Sequence, residues 1–556
     1  MPKLFSIPFA VLVLLLASVL FASDKPNIVI ILSDDMGYSD LGCYGGEIPT
    51  PHLDSLGMNG IRFTQFYNSA RCCPTRASLL TGLHPHQTGV GHMTETNIEG
   101  LLGFQGDLNT SCVTIAQVLR MAGYKNYCVG KWHITGNHNK ANPKINWPLQ
   151  RGFDRFYGIL GPQANFFVPR MIVRDNVSLT PANDAEYQPE QPYYLTDAIT
   201  DHAIRYIAEH KANHTDSPFF LYVPYLAAHL PLHAPEDEIK KFAGKYDDGY
   251  TPIREARYAR MKEIGLLPEN VELSPQAGNW EGVEFKDWES RCMEVYAAMI
   301  HRMDHGIGRL IEALKKTGQH ENTVIMFLHD NGASSEATGR VRTQENPGQN
   351  EPAYGLTKAQ RGDESLFVGG KNLMPGPMNT FMGYGRNWAN VSNTPFREYK
   401  HFVHEGGIAT PLIVYSPTKV DISMRGKYYR DPGQLVDIMA TCVELAGAEY
   451  PKEFEGNAIQ PMEGVSLAPA LTGKPLVRSK PLVWEHEGNR AIRDGKWKLV
   501  AKGPLRPWEL YDIEADRSEL HDLSKKFPET TESLAKQWNE WAERTNVLPW
   551  PWVTKE

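Results

Sequence analysis

The 556-residue sequence predicts an α/β fold with a large mixed, mostly parallel sheet between helices and a small C-terminal α+β subdomain. Three observations predict it: short apolar runs alternate with helical patterns, polar clusters follow most of these runs, and the pattern changes near residue 475. Runs rich in Val, Ile, Leu and Phe without polar alternation are typical of strands buried on both faces. The five runs are 27–32, 126–129, 218–223, 323–328 and 411–415.

The clearest helical pattern covers 292–316, where apolar residues recur at three-to-four spacing until Gly318 ends it. In the tail, Asp494 and Gly495 between two strand-like stretches are typical of a hairpin. A strand over 508–513 and a helix with Trp538 and Trp541 on one face follow. We therefore expect a main domain over 23–475 and a C-terminal subdomain over 476–556.

Two long segments, 135–217 and 332–396, show no strand or helix pattern. They are rich in Gly, Pro, Asn and aromatic residues. Structureless stretches of this length are uncommon within a domain unless they serve a site or are disordered. The aromatics at 381–388 favour ordered loops around a site.

The charge balance and the N-terminus restrict the class of protein. With 57 Lys and Arg against 65 Asp and Glu, the net charge is −8, which argues against a nucleic-acid partner. Residues 1–22 place Lys3 before an apolar stretch and read as a signal peptide. A membrane anchor is the alternative, but roughly 15 apolar residues fall short of the ~20 that span a bilayer. We expect export to the periplasm or medium, with no membrane association after cleavage.

Polar clusters follow four of the five runs. Asp34 and Asp35 follow the first, Lys131 and His133 the second, His229 the third, and Asp330 with Asn331 the fourth. Singly, each is explained by a helix cap, a tight turn, a solvated rim or a buried histidine. However, the carboxyl ends of parallel strands meet at one edge of a sheet, where ligands bind. The clusters are therefore expected to converge.

Asp34, Asp35, Asp330 and Asn331 together offer only oxygen ligands. Hard oxygen donors favour Ca²⁺ or Mg²⁺ over zinc, and an exported protein meets millimolar calcium. We predict one Ca²⁺ ion. Three carboxylates exceed the charge of a divalent cation by one, so Lys131 is needed before an anionic substrate can enter.

Seven cysteines are too few for a disulfide-stapled fold, and their odd number draws attention to the adjacent Cys72 and Cys73. Pro74 suits the first turn of a helix that continues until Gly82. Residue 72 would then lie at a helix N-terminus, which favours anions. The alternative is a buried cysteine pair, either as two thiols or as a disulfide.

The motif Cys72-Cys-Pro-Thr-Arg76, followed by Thr81-Gly82, resembles the signature of the type I, formylglycine-dependent sulfatases. The strand-end clusters, His229 before Pro231, and Lys400 five residues before Glu405-Gly-Gly all occur in the order typical of that family. The segment 392–411 looks especially like bacterial arylsulfatases. Thr75 in place of the commoner Ser, and Cys73 at the variable position, are the departures from the pattern.

The resemblance implies an alkaline phosphatase-like fold and the hydrolysis of sulfate monoesters, either aryl or carbohydrate. It implies that a maturation enzyme converts Cys72 to formylglycine (3-oxoalanine), whose hydrated form attacks sulfur. Asp34, Asp35, Asp330 and Asn331 would hold the ion. By matched position, Arg76 would support the nucleophile and Lys131 would bind sulfate. His133 would be the general base, and His229 and Lys400 would contact the bridging oxygen. Of the last two, His229 is the expected acid for the leaving alcohol.

Two other functions stay open at this point. The same fold family includes phosphoester hydrolases, but these usually carry a Ser or Thr nucleophile and a His-rich two-metal site. If Cys72 stays a thiol, the chain could be a non-catalytic binder of sulfated glycans. His404 and His486 are additional candidates for substrate contact, whereas His84, His86 and His92 are expected to have supporting roles.

Overall fold

The computed structural model describes residues 25–136, 144–340, 357–358, 367–368 and 373–551. The predicted signal peptide lies outside these residues. Strands of the main domain are β1 (Asn27–Ser33), β2 (Ile61–Tyr67), β3 (Lys125–Lys131), β4 (Arg155–Ile159), β5 (Ile172–Arg174), β6 (Val177–Leu179), β7 (Phe219–Pro224), β8 (Thr323–His329), β9 (Thr357–Lys358), β10 (Phe367–Val368), β11 (Ala409–Tyr415), β12 (Lys427–Tyr429), β13 (Gly433–Gln434), β14 (Glu453–Phe454) and β15 (Asn457–Ala458).

Eleven of the described strands form one sheet in the order β12-β2-β11-β8-β1-β7-β3-β4-β5-β6, with β13 also beside β2. The central strands β8, β1, β7, β3 and β4 run parallel. Every residue of β1, β7 and β8 is buried, as their apolar sequences predict. The predicted mostly parallel sheet is confirmed.

Helices cover both faces of this sheet. Val29 and Ile31 of β1 pack in one hydrophobic cluster, and Ile28 and Ile30 pack in a second cluster on the opposite face. No helix in the described part of the chain has the length and apolarity needed to cross a membrane. The helices are α1 (Pro51–Asn59), α2 (Cys72–Thr81), α3 (Ile115–Met121), α4 (Leu195–Asn213), α5 (Glu236–Lys240), α6 (Tyr250–Glu263), α7 (Lys286–Lys316), α8 (Gly385–Ser392), α9 (Glu405–Ile408), α10 (Val436–Ala446) and α11 (Pro528–Arg544).

The tail forms a second, four-stranded antiparallel sheet in the order β16 (Leu482–His486), β17 (Asn489–Asp494), β18 (Trp497–Ala501) and β19 (Glu509–Asp512). The predicted hairpin is present, with Asp494 opposite Trp497. Helix α11 packs Leu534, Trp538 and Trp541 into the hydrophobic cluster of this sheet. The domain boundary near residue 475 stays a prediction.

Two sequence expectations were wrong. The segment 135–217 contains the 19-residue helix α4, and 332–396 contains α8. The buried face of α4 carries Thr, Ala and His as well as Leu and Ile, so it lacks the apolar stripe that reveals a helix in a sequence. The run at 411–415 lies in β11, which is antiparallel to both neighbours and makes the sheet mixed, as predicted.

Candidate active site

The carboxyl ends of β1 and β8 meet, as neighbouring parallel strands require. Asp34 and Asp35 follow β1, Asp330 and Asn331 follow β8, and all four are buried. The backbone N–H of Asp35 donates to Asp330 Oδ1 at 3.3 Å, and Asn331 Nδ2 donates to Asp35 Oδ1 at 2.7 Å. The structure therefore brings the four predicted ion ligands together.

Three buried cations face these carboxylates. Arg76 Nη2 lies 3.0 Å from Asp34 Oδ2 and 2.8 Å from Asp330 Oδ2. Lys131 Nζ lies 2.6 Å from Asp34 Oδ2, and Lys400 Nζ lies 2.9 Å from Asp35 Oδ1. Each carboxylate is thus paired, which is what buried charges require. The position of Lys131 beside Asp34 agrees with the charge compensation that the sequence predicts for this lysine.

Two oxygens of the cluster have no hydrogen-bond partner among the described residues. They are Asp34 Oδ1 and Asn331 Oδ1, both fully buried. Burial and the neighbouring Asp34 carboxylate hold the pKa of Asp330 well above its usual value. Oxygens without a hydrogen-bond partner, next to closely spaced carboxylates, are suitable ligands for a hard cation such as Ca²⁺.

Cys72 is the first residue of α2, and Arg71 precedes it in an extended conformation with a φ of −150°. Gly82 ends the helix with a φ of 71°, in the left-handed region that glycine tolerates. All seven cysteines are unbridged and buried, so Cys72 and Cys73 form no disulfide. A hydrogen bond with Cys73, together with the nearby Lys131 and His133, outweighs burial and holds the pKa of Cys72 well below its usual value.

His133 and His229 approach from the ends of β3 and β7. A ring nitrogen of His133 and the sulfur atoms of Cys72 and Cys73 lie within 4.8 Å of one another. Neither ring nitrogen of His133 has a hydrogen-bond partner in the described part of the chain. In His229, Nδ1 lies 2.6 Å from the carbonyl oxygen of Leu230, and Nε2 lies 3.6 Å from Asp35 Oδ2. All ten predicted site residues therefore converge at one edge of the sheet.

Sequence reasoning missed a group of charged residues beside the site. Glu336 lies 3.5 Å from Lys400 Nζ, 3.7 Å from His401 and 3.8 Å from Arg71. Lys400, Glu336 and His401 line an open cavity of about 590 Å³, which also borders Glu487 of the C-terminal sheet. The only signal in the sequence was the position of His401 directly after Lys400.

The other histidines divide as follows. His92 lies 3.1 Å from Glu487, and the buried His486 packs beside it, so both belong to the region of the cavity. His404 faces Glu509 at 3.5 Å, and His86 pairs with Glu485 at 2.7 Å. The substrate contact suggested for His486 stays a prediction, because its side chain is fully buried, and His404 faces the C-terminal sheet.

Comparison with known proteins gives consistent matches. The Sulfatase family model matches residues 26–448, and the model for the C-terminal part of N-sulphoglucosamine sulphohydrolase matches residues 397–544. An uncharacterized sulfatase of Schizosaccharomyces pombe is 32% identical over 553 residues, 95% of each chain. The arylsulfatase of Klebsiella aerogenes is 32% identical over 80% of this chain and 92% of its own.

A solved structure has a similar fold. That of Ps i-CgsB in complex with k-i-k-neocarrahexaose superimposes with a TM-score of 0.64 at 23% identity, covering 95% of this chain and 98% of that one. The likeness concerns the arrangement of sheet and helices described above.

Proposed function

Because the chain belongs to the type I sulfatase family and is a sulfuric ester hydrolase with an alkaline phosphatase-like fold, we propose that catalysis takes place around Cys72. The observation that carries this proposal is the position of Cys72. It begins a buried helix, has Lys131 and His133 nearby, and lies beside the carboxylate cluster. A helix N-terminus and the cationic side chain of Lys131 favour a sulfate ester at this place.

We propose that Cys72 is converted to formylglycine, so that its Sγ in the structure stands where an oxygen of the mature residue would be. The hydrated aldehyde would supply an oxygen nucleophile toward sulfur. Asp34, Asp35, Asp330 and Asn331 would hold one calcium ion, which supplies positive charge to a sulfate oxygen when bound.

Arg76 and Lys131 provide the positive charge of the chain itself. The guanidinium of Arg76 bridges Asp34 and Asp330, and its Nη1 donates to the carbonyl oxygen of Lys131 at 2.7 Å. These contacts fix both cations before substrate arrives, so little reorganisation is needed as negative charge develops. Lys131 would bind sulfate, and Arg76 would support the nucleophile.

The two histidines are suited to opposite proton transfers. The ring nitrogens of His133 have no partner in the described residues, so one can accept a proton from an oxygen at position 72. In protonated His229, the contact from Nδ1 to the Leu230 carbonyl fixes the ring, and Nε2 can donate to the leaving alcohol. Lys400 would lie beside the same bridging oxygen.

The proposal includes maturation and export. The N-terminal pattern of residues 1–22 supports a signal peptide and export to the periplasm or medium. The Cys72-Cys-Pro-Thr-Arg76 motif supports recognition by a formylglycine-generating enzyme. The substrate would be an aryl or carbohydrate sulfate ester.

Mass spectrometry of the peptide that spans residues 71–76, combined with sulfate release from an aryl sulfate, tests the proposal. Co-expression with a maturation enzyme should give formylglycine at position 72 together with activity. Cys72→Ala should lower kcat/KM by at least about 10³-fold, as loss of a nucleophile does. Cys73→Ser, the matched control, should keep most of the activity. Converted protein that releases no sulfate from any ester would contradict the proposal.

A further inference from the structure

The cavity beside Lys400 is large enough for a substrate that extends beyond its sulfate. Its volume of about 590 Å³ lies within the range of ligand sites. Lys400 connects it to the candidate active site, because Nζ lies 2.9 Å from Asp35 and the same residue lines the cavity. A sulfate at Cys72 would therefore place its alcohol group toward this space.

His401 and Glu487 line one side of the cavity. They belong to a cluster of imidazoles around a carboxylate, here called the Glu487 cluster: His92, His401, His486 and Glu487. Glu487 lies 2.9 Å from His401 Nδ1, 3.1 Å from His92 Nε2 and 3.6 Å from His486 Nε2. His486 is fully buried, and neither of its ring nitrogens has a hydrogen-bond partner in the described residues. The Glu487 side chain keeps 33% of its surface exposed. The exposed part of the Glu487 carboxylate can therefore accept hydrogen bonds from the cavity.

Three distant parts of the chain build the Glu487 cluster. His92 follows the motif helix α2, His401 precedes β11, and His486 with Glu487 comes from the C-terminal sheet. Burial acts to raise the pKa of Glu487, but the three imidazoles outweigh it and hold that pKa well below its usual range. The carboxylate is therefore charged at neutral pH and accepts hydrogen bonds.

Glu487 occupies an unusual backbone position. It forms with Gly488 the two-residue turn between β16 and β17, and their φ angles are 54° and 80°. Turns of this type favour Asn, Asp or Gly, because a positive φ is costly for other residues. A glutamate in this conformation points to a role for its side chain.

The remaining wall combines charged side chains with apolar surface, and its aromatic rings are partly covered. Lys502 Nζ lies over the ring of Phe402 at 5.1 Å, and the guanidinium of Arg386 lies over Tyr399 at 6.0 Å. Each ring therefore has a cation on one face rather than two faces open to an arene. Hydroxyl groups accept hydrogen bonds from cations and donate them to carboxylates, so they match the charged side chains of this wall, such as Lys502 and Glu487.

We propose that the cavity binds the ring of a sulfated carbohydrate, with Glu487 accepting hydrogen bonds from its hydroxyl groups and His401 completing the contact. This inference rests on the proposed function and assigns its substrate class. Glu487 is then a specificity-determining residue, and the C-terminal sheet supplies part of the substrate site.

Two comparisons test this proposal on the mature full-length enzyme. The first compares kcat/KM for a panel of mono- and disaccharide sulfates with that for cyclohexylmethyl sulfate, an alkyl ester whose ring has no hydroxyls. A site that hydrogen-bonds hydroxyls rejects an analogue without them, so the best sugar should exceed it by at least ~100-fold. The second comparison uses Glu487→Gln, which should lower kcat/KM for that sugar about 10- to 100-fold, the loss expected for hydrogen bonds to a charged group.

Glu509→Gln is the matched control for Glu487→Gln. Glu509 is a similarly exposed carboxylate of the same sheet that contacts His404 and Arg397 outside the cavity. Glu509→Gln should leave the ratio of sugar to aryl sulfate turnover unchanged, whereas Glu487→Gln should lower that ratio at least tenfold. Equal losses on both substrates, or cyclohexylmethyl sulfate turned over as fast as every sugar, would overturn the carbohydrate assignment alone. Absence of sulfate release from all esters, aryl included, would overturn the proposed function with it.

Discussion

His229 and His133 differ in how their rings are held, and this difference bears on what each can do. The imidazole of His229 is anchored through Nδ1 at 2.6 Å from the Leu230 carbonyl, which leaves Nε2 near Asp35. The ring of His133 has no such anchor among the described residues and lies close to Cys72. An anchored ring can deliver a proton in one direction, which suits an acid for the leaving group.

His229→Ala should therefore harm esters of poor leaving groups most. We expect kcat/KM for an alkyl or sugar sulfate to fall about 10²- to 10⁴-fold, as loss of a general acid does, and for a nitrophenyl sulfate about tenfold or less. Steady-state kinetics on both substrates measures the ratio. His233→Gln, a buried histidine whose Nε2 lies 2.7 Å from the Thr380 carbonyl, is the control and should leave the ratio unchanged. Equal losses on both esters would refute the assignment of His229 as the acid.

The residues closest to Cys72 could be predicted from the sequence, whereas those of the cavity could not. Asp34, Lys131 and Asp330 follow or end strands of the parallel set β8-β1-β7-β3, so topology alone brings them to one edge of the sheet. Glu336 and Glu487 lie in a loop and a turn, and no periodicity relates such positions to the sheet. Their convergence depends on how the tail packs, which one sequence does not specify.

The reversed strand β11 explains why Lys400 reaches the site from before a strand instead of after it. Because β11 is antiparallel to β8, its first residues lie at the edge where β1 and β8 end. The segment that leads into β11 therefore carries Lys400 and His401 to that edge. The sequence showed polar clusters after only four runs for the same reason.

The proposed calcium site at the ends of β1 and β8 also predicts how calcium affects the stability of the fold. Addition of Ca²⁺ to metal-free protein should raise the free energy of unfolding by about 2.7 kcal/mol at 100 times Kd, since ligand binding stabilises the folded state. Thermal unfolding in EGTA and in CaCl₂ measures the shift. Asn331→Ala should reduce it by removing one ligand without changing charge, and Mg²⁺ should act less because it gives up its waters reluctantly. Identical melting temperatures in EGTA and CaCl₂ would argue against a calcium site.

Strand β18 connects the two sheets through a buried ion-pair network. Lys498 Nζ lies 2.9 Å from Glu405 and 2.8 Å from Glu519, and all three side chains are fully buried. Arg517 Nε also reaches Glu405, at 3.0 Å. Glu405 belongs to α9, which immediately precedes β11, so this network fixes the approach to Lys400.

Lys498→Met should lower the free energy of unfolding by about 3–5 kcal/mol, because it leaves buried carboxylates without their partner. Lys496→Met is the matched control on the same hairpin. Its lysine is 47% exposed and pairs with Asp512 at 2.7 Å, and its removal should cost less than about 1 kcal/mol. Urea denaturation of both variants makes the comparison. Similar destabilisation by the two substitutions would show that the Lys498 network does not connect the sheets as described.

The fold as a whole should lose stability in mild acid. Burial lowers the pKa of each of His84, His202 and His233 to about 4 from the ordinary 6.5. Between these values the unfolded chain takes up protons that the folded protein does not, so stability is fully present above pH 6.5 and falls as the pH drops toward 4. Each histidine contributes a slope of up to about 1.4 kcal/mol per pH unit.

Urea midpoints at pH 7.5, 6 and 5 measure this slope. His202→Gln should flatten it by removing one of the buried imidazoles, whereas substitution of the exposed His521, whose side chain is 62% accessible, should not. A free energy of unfolding that is constant from pH 7.5 to 5 would contradict the prediction.

More of the overall architecture than of its individual elements could be predicted from the sequence. Buried strands such as β1 and β8 are visible because both of their faces are apolar, and the tail hairpin because Asp494-Gly495 is a turn signal. Strand β2 was not predicted, because Arg62 and Thr64 are buried in it through hydrogen bonds to Gly426 and Tyr429 oxygens. Helix α4 escaped prediction for a similar reason, since Thr and His occupy its buried face.

The contact between Glu405 and the C-terminal sheet has a consequence for recombining this chain with its relatives. A chimera that exchanged only residues 476–556 would retain Glu405 but import a foreign counterpart of Lys498 and Arg517. It would also replace Glu487 while keeping His401, so that these two contacting residues of the cavity would come from different parent proteins. A crossover upstream of residue 395 keeps β11, its leading segment and the tail together, so that His401 and Glu487 come from the same parent.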